Sequence, residues 1–294
     1  MATGFSNNEL NYARKKYYGR FHVFGDNTSF FQKLVNYSLT RIYFTKYTLL
    51  NFKRRIVRSI SKIIFLKKKK QNQIIFKVNS NNDTIKKISN ELKSNNFTFV
   101  ENFISEDSHK SLVDSWPDIN HFDHRKKITY HYSTNFRYHH SSAFLDKTFK
   151  SYPGEFVLKK FYEFLIGDKF KDFYYKLLQT NQEDYYLYGA VSTMASNDSY
   201  LIPHFDGVVK GSKIKRGYNF IYFVDGHDKD LSAGGATGLY KDNEFKSPLL
   251  IPKSIRNSIL IYNILSTDFF HGFKCIKSPK NIYRKTINFQ IWER

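Results

Sequence analysis

The 294-residue chain carries 41% hydrophobic residues, enough to bury a sizeable core as one large or two small domains. Its single cysteine, Cys275, excludes an internal disulfide framework and any Cys-based zinc or iron–sulfur site. The net charge of +21 is lopsided: residues 1–81 hold 17 Lys/Arg against 2 Asp/Glu, whereas residues 82–294 hold 30 against 24. The basicity therefore belongs to the first quarter, and two parts are expected: a basic amphipathic N-terminal extension over 1–81 and a folded domain over 82–294. Met1 to Asn11 lacks a basic start followed by an apolar run, and no uncharged apolar stretch approaches the roughly 18 residues of a membrane span. A reducing, cytoplasmic setting is the expectation.

In the extension, Ile56, Ile60, Ile63 and Ile64 recur at helical spacing among Lys53, Arg54, Arg55, Arg58 and Lys62, which predicts a basic amphipathic helix. Lys67–Lys70 end it, and the Gln/Asn-rich run that follows reads as a linker. Asp83 can cap a helix through Leu92, Phe97–Phe103 reads as a strand, and Ser105-Glu-Asp-Ser opens a helix that stops before Trp116-Pro117. The stretch from His121 to His140 is polar and His-rich, and its opening, His121–Lys127, reads as a surface segment. Leu158–Leu178 is helical in pattern with a break at Gly167. From Tyr185 the character changes to short strands: Tyr186–Met194, Tyr218–Val224, Thr237–Tyr240, Ser258–Tyr262 and Lys285–Trp292. Helices followed by many short strands predict an α+β fold ending in a β-sandwich or jelly roll.

The chemistry centres on Pro203-His204-Phe205-Asp206. On an extended chain, residues i and i+2 share a face, so His204 and Asp206 can reach one point. An imidazole beside a carboxylate suits a divalent transition metal, and two His plus one carboxylate is the facial triad of non-haem Fe(II) oxygenases. The dipeptide spacing alone is weak, since His121-Phe122-Asp123 repeats it. Context separates the two copies. After Asp206 come a buried-looking strand from Arg216 to Val224, Gly234-Gly235, the strand Ser258–Asn263, then Phe270-His271-Gly272 and a last strand holding Arg284 and Thr286.

In that order the elements resemble the 2-oxoglutarate/Fe(II) dioxygenase superfamily, particularly its prolyl-4-hydroxylase-like branch. The resemblance runs from about Phe97 to Trp292, with His271 placed 65 residues after Asp206 and Arg284 13 after His271. It implies a double-stranded β-helix (jelly roll) core with flanking helices, preceded by the basic, mostly helical extension. By the same resemblance, His204, Asp206 and His271 would bind Fe(II), and Arg284 would hold the distal carboxylate of 2-oxoglutarate with Thr286 adding a hydroxyl. O2 would take the remaining iron position, and substrate hydroxylation would release succinate and CO2. Many relatives carry a tyrosine about ten residues before the first ligand. Met194 stands near that place here, so Tyr188 or Tyr200 would have to substitute. Asp206 argues against the halogenating relatives, which leave the carboxylate position open.

The substrate class stays open between a protein side chain, a sugar and a small metabolite. An anionic membrane surface or another polyanion is the expected partner of residues 14–70, which would make the protein membrane-peripheral. Nucleic acid is disfavoured, because the second arginine of the nucleic-acid demethylase branch would fall at Gln290. The alternative function is a non-catalytic jelly-roll binding protein tethered by its basic N-terminus.

Overall fold

The computed structural model describes residues 45, 48–60, 74–124, 136–139, 156–180, 185–195, 199, 201–205, 216–226, 234–242, 245–274, 276 and 283–293. Among the described residues a helix over 48–60 (α1) comes first. Helix α2 (Asn82–Asn95) begins at Asn81, not at Asp83: the Asn81 side chain accepts from the Thr84 amide at 2.8 Å. Asp83 sits in the first turn instead, where its charge complements the helix dipole. After β1 (Phe97–Val100), Ser105 caps α3 (Glu106–Asp114), and a 3₁₀ turn spans Ile119–His121. Gly167 divides α4 (Phe156–Ile166) from α5 (Asp168–Leu178). A Cβ there would lie 3.1 Å from the Glu163 carbonyl oxygen, tighter than a side chain readily accepts.

Among the described residues all strand pairs are antiparallel. One sheet orders as β1, β9 (Ser258–Asn263), β6 (Gly217–Asp225), β11 (Arg284–Glu293), β4 (Tyr185–Ala195), β3 (Phe136–His139) and β2 (Asp123–His124). The smaller sheet orders as β5 (Leu201–His204), β10 (Phe270–Phe273), β7 (Gly238–Tyr240) and β8 (Pro248–Leu250). Within the stretch read as surface, Phe122 departs from that reading, and residues 125–135 and 140 lie outside the described residues. Phe122 is fully buried and stacks on Trp116, while β2 and β3 extend the large sheet beyond β4.

Period-two alternation sorts the large sheet's side chains into two cores. Phe220, Tyr222 and Val224 of β6, Ile259 and Ile261 of β9, and Ile287, Phe289 and Ile291 of β11 meet the helices. There Phe161 stacks on Tyr222 and Phe220 on Phe289, with centroids 5.6 and 4.9 Å apart. Ile221, Phe223, Leu260 and Tyr262 face the other way and pack with Ala236, Leu239 and Phe269 of the smaller sheet's side. Both faces of β6 and β9 are thus covered, which is why they read as unbroken apolar runs. On β11 the same alternation turns Arg284, Thr286 and Asn288 away from the helices and toward the small sheet.

The helices hold the large sheet through aromatic residues more than through ion pairs. Replacing Phe289, which contacts Phe170 and Phe220, by Ala is expected to cost about 3–5 kcal/mol in urea unfolding. The same change at the exposed Tyr188 is expected to cost less than about 1 kcal/mol.

Candidate active site

The small sheet brings two histidines together. His204 ends β5 and pairs directly with His271 of β10, and their rings lie 4.2 Å apart, centroid to centroid. Antiparallel neighbours directly across a ladder project to the same face, so two residues 67 apart in sequence present imidazoles to one point. His271 is buried and His204 half-buried. Tyr262 of β9, on the facing sheet, lies with its ring 5.0 Å from that of His271, and its hydroxyl accepts from Asn219 Nδ2 at 2.6 Å. Phe205 and Phe270, the residues adjoining the two histidines on the opposite face, pack on each other at 4.0 Å. Asp206 and Tyr200 lie outside the described residues. Among the described residues no third metal-ligating side chain joins the histidine pair.

Arg284 opens β11 and is 2% exposed. Its Nη2 donates to Thr237 Oγ1 at 2.6 Å, and its guanidinium lies over the Phe273 ring at 4.4 Å and the Phe223 ring at 5.4 Å. Nε has no hydrogen-bond partner, and no carboxylate pairs with the guanidinium among the described residues. Burial lowers its pKa to about 9, so it remains a cation at neutral pH. Rings and one hydroxyl compensate a buried cation only in part, because none of them supplies negative charge. Phe273 lies two residues along β10 from His271 on the same face. The guanidinium thus sits one strand repeat, about 7 Å, from the level of the histidine pair.

Thr286 follows on the same face of β11, fully buried, with its hydroxyl 2.5 Å from that of Thr193 on β4. Two hydroxyls in contact use one of their protons between them, which leaves the other free for an acceptor. Gly235 closes this end: its φ is +89°, and a Cβ would meet Ile276 at 3.3 Å and the Arg284 Cδ at 3.4 Å. A side chain here would be strained and would crowd the arginine stem.

The structure therefore brings His204, His271, Arg284 and Thr286 to one region between the sheets. Tyr188 is elsewhere: it is exposed, stacks on Trp292 at 3.5 Å and lies toward the opposite end of β4 from Ala195, which pairs with Arg284. Thr237, Thr193, Phe273 and Tyr262 were not apparent as site residues. Strand alternation marks Thr193 as Thr286's neighbour only once the register is known, and Thr237 shows no local pattern beyond following Gly234-Gly235.

No protein-family model matches the sequence, and no curated protein matches it. Solved structures do. A non-heme alpha ketoglutarate dependent epimerase from nogalamycin biosynthesis aligns over 72% of this chain and 83% of its own, at 8% identity and a TM-score of 0.50. The fold is shared with that enzyme. Prolyl-4-hydroxylase of Pseudomonas putida aligns over 71% and 98% at 8% identity, TM-score 0.48. A 2OG-Fe(II) oxygenase family protein of Burkholderia pseudomallei aligns over 76% and 95% at 8% identity, TM-score 0.47.

A buried cation without an anionic partner destabilises the protein that contains it. Replacing Arg284 by Met is expected to raise stability by about 1–4 kcal/mol in urea unfolding without added ligand. A loss of stability would show that the guanidinium is already compensated.

Proposed function

We propose that the chain is an Fe(II)- and 2-oxoglutarate-dependent dioxygenase on a double-stranded β-helix, inserting one oxygen atom of O2 into a substrate C–H bond while the cosubstrate becomes succinate and CO2. The observation that carries this reading is the charged Arg284 guanidinium, buried beside two paired histidines with no carboxylate paired to it among the described residues. The donor set fits the group. Two adjacent imidazoles with a carboxylate two residues beyond His204 make the mixed nitrogen and oxygen set that Fe(II) takes, and the cation supplies what a dicarboxylate needs at its far end.

In this reading His204, Asp206 and His271 hold the iron. Arg284 binds the distal carboxylate of 2-oxoglutarate, with the Thr286 hydroxyl donating to it while Thr193 donates to Thr286 across their contact. Tyr200 is the candidate for a further cosubstrate contact. Bound iron would supply the oxidising chemistry that couples cosubstrate breakdown to hydroxylation. Thr237 holds one edge of the guanidinium, and the Phe273 and Phe223 rings hold its faces, so it is oriented before the ligand arrives. The same rings keep water from the carboxylate, which strengthens the charge-assisted bond. The substrate is proposed only by class: a protein side chain, a sugar or a small metabolite.

The deciding experiment is anaerobic titration with Fe(II) and 2-oxoglutarate, followed by admission of O2 and assay of succinate. A weak visible charge-transfer band and slow succinate formation are expected. Iron binding without the band would move the reading to another facial-triad chemistry, and no iron binding would favour the non-catalytic binding protein. His271→Ala is expected to abolish stoichiometric iron binding while leaving the fold intact. Stoichiometric iron in that variant would overturn the ligand assignment.

The pH response follows from Arg284. Its pKa is lowered to about 9 in the free protein, so the cation that attracts the dicarboxylate is present below that pH and is lost as pH rises through it. Saturation at a hundredfold excess over Kd is expected to add about 2.7 kcal/mol of stability near neutral pH, seen as a raised Tm. That increment is expected to shrink above pH 9 and to be absent from Arg284→Met.

A further inference from the structure

Helix α1 is oriented against the usual rule for a surface helix. Its polar side is turned inward: Asn51, Arg54 and Arg58 are 2%, 6% and 5% exposed, and Arg54 Nη1 donates to the Phe122 carbonyl at 2.9 Å. Its apolar side is turned outward: Leu49, Phe52, Ile56 and Ile60 are 63%, 62%, 45% and 53% exposed. At about 100° per residue these four fall within an arc of about 80°, one continuous stripe along more than three turns. Single exposed apolar residues on a protein surface need no explanation, but a stripe of four large ones does.

The charge along this stretch of the sequence is of one sign. Lys53 and Arg55 are exposed on either side of it. No acidic residue occurs between Asp26 and Asp83, while 13 Lys/Arg do, four of them consecutive at Lys67–Lys70. A helix with an apolar stripe flanked by cations matches a lipid interface, where the stripe enters the acyl boundary and the cations meet anionic headgroups. A nucleic acid would use the cations and leave the stripe in water. No helix among the described residues is long and apolar enough to cross a membrane, so α1 would lie on the surface and not span it.

We propose that α1 is an interfacial anchor that seats the protein on an anionic lipid surface, Leu49, Phe52, Ile56 and Ile60 inserted and Lys53 and Arg55 on the headgroups. The inward arginines are what make this possible. Arg54, tied to the Phe122 carbonyl, fixes the helix against the domain with its apolar side out, so the anchor is preformed and no core residue has to leave the fold. The proposal is independent of the reaction class assigned above.

The test is sedimentation of the full chain with phosphatidylcholine vesicles, with and without phosphatidylserine. Binding is expected only to the phosphatidylserine vesicles, weakening as salt is raised. Phe52→Glu/Ile56→Glu and Lys53→Glu/Arg55→Glu are each expected to weaken it about tenfold or more. All four positions are exposed, so the fold should survive, which circular dichroism checks. In Phe52→Trp, vesicle addition is expected to shift the emission of the new indole to the blue. Failure to bind phosphatidylserine vesicles, or equal binding by the Phe52→Glu/Ile56→Glu variant, would overturn the proposal. So would a wild-type dimer that the same variant converts to monomer while no vesicle binding is seen, since the stripe would then be a contact between copies.

Discussion

A guanidinium buried between two β-sheets, with no carboxylate paired to it among the described residues, is the constraint around which the rest of this molecule is arranged. The ring of Phe273 beneath Arg284, the ring of Phe223 nearby and the hydroxyl of Thr237 orient the cation but supply no negative charge. A protein without a use for that charge would gain by losing it. Retaining it two strand residues from a pair of cross-strand histidines puts imidazoles at one level of the space between the sheets and a cation at the next. The small sheet supplies the first, and β11 of the large sheet supplies the second.

That division depends on the helices. β6, β9 and β11 can present polar groups to the interior on one face only because their other face is sealed by Phe161, Phe170, Phe173 and their neighbours. Arg284 and Thr286 alternate with Ile287 and Phe289 along one strand, so whatever fixes the apolar residues fixes the polar ones. Asn219 illustrates the same coupling. It sits on β6 between residues of the core and holds the hydroxyl of Tyr262, whose ring flanks His271.

Much of this was legible in the sequence where the signal is local. Ser105 as a cap, Gly167 as a break, and the runs that became β4, β6, β9 and β11 all follow from side-chain chemistry within a few residues. Position in chain order also singled out His204, His271, Arg284 and Thr286, which the fold gathers between the sheets. What could not be read depends on residues distant in sequence. Phe122 looks like part of a charged surface until Trp116 and α1 close over it, and nothing near Thr237 records that Arg284 will need a hydroxyl 47 positions earlier. The orientation of α1 was hidden for the same reason. Periodicity shows that a helix has two sides, but contacts distant in sequence, such as that of Arg54 with the Phe122 carbonyl, decide which one turns inward.

Asn257 fastens the chain before α3 to the start of β9. Its Oδ1 accepts from the Ile104 amide at 3.2 Å and from the Tyr222 hydroxyl at 3.0 Å, while its Nδ2 donates to the Ile104 carbonyl at 2.9 Å. Its backbone sits at φ +48°, a conformation that glycine, asparagine and aspartate tolerate best. Glycine would keep the backbone and lose all three bonds; aspartate would keep the shape and set an oxygen against the Ile104 carbonyl. Of the residue types that settle readily into that backbone, only asparagine both donates and accepts, so this buried position has a vocabulary of one.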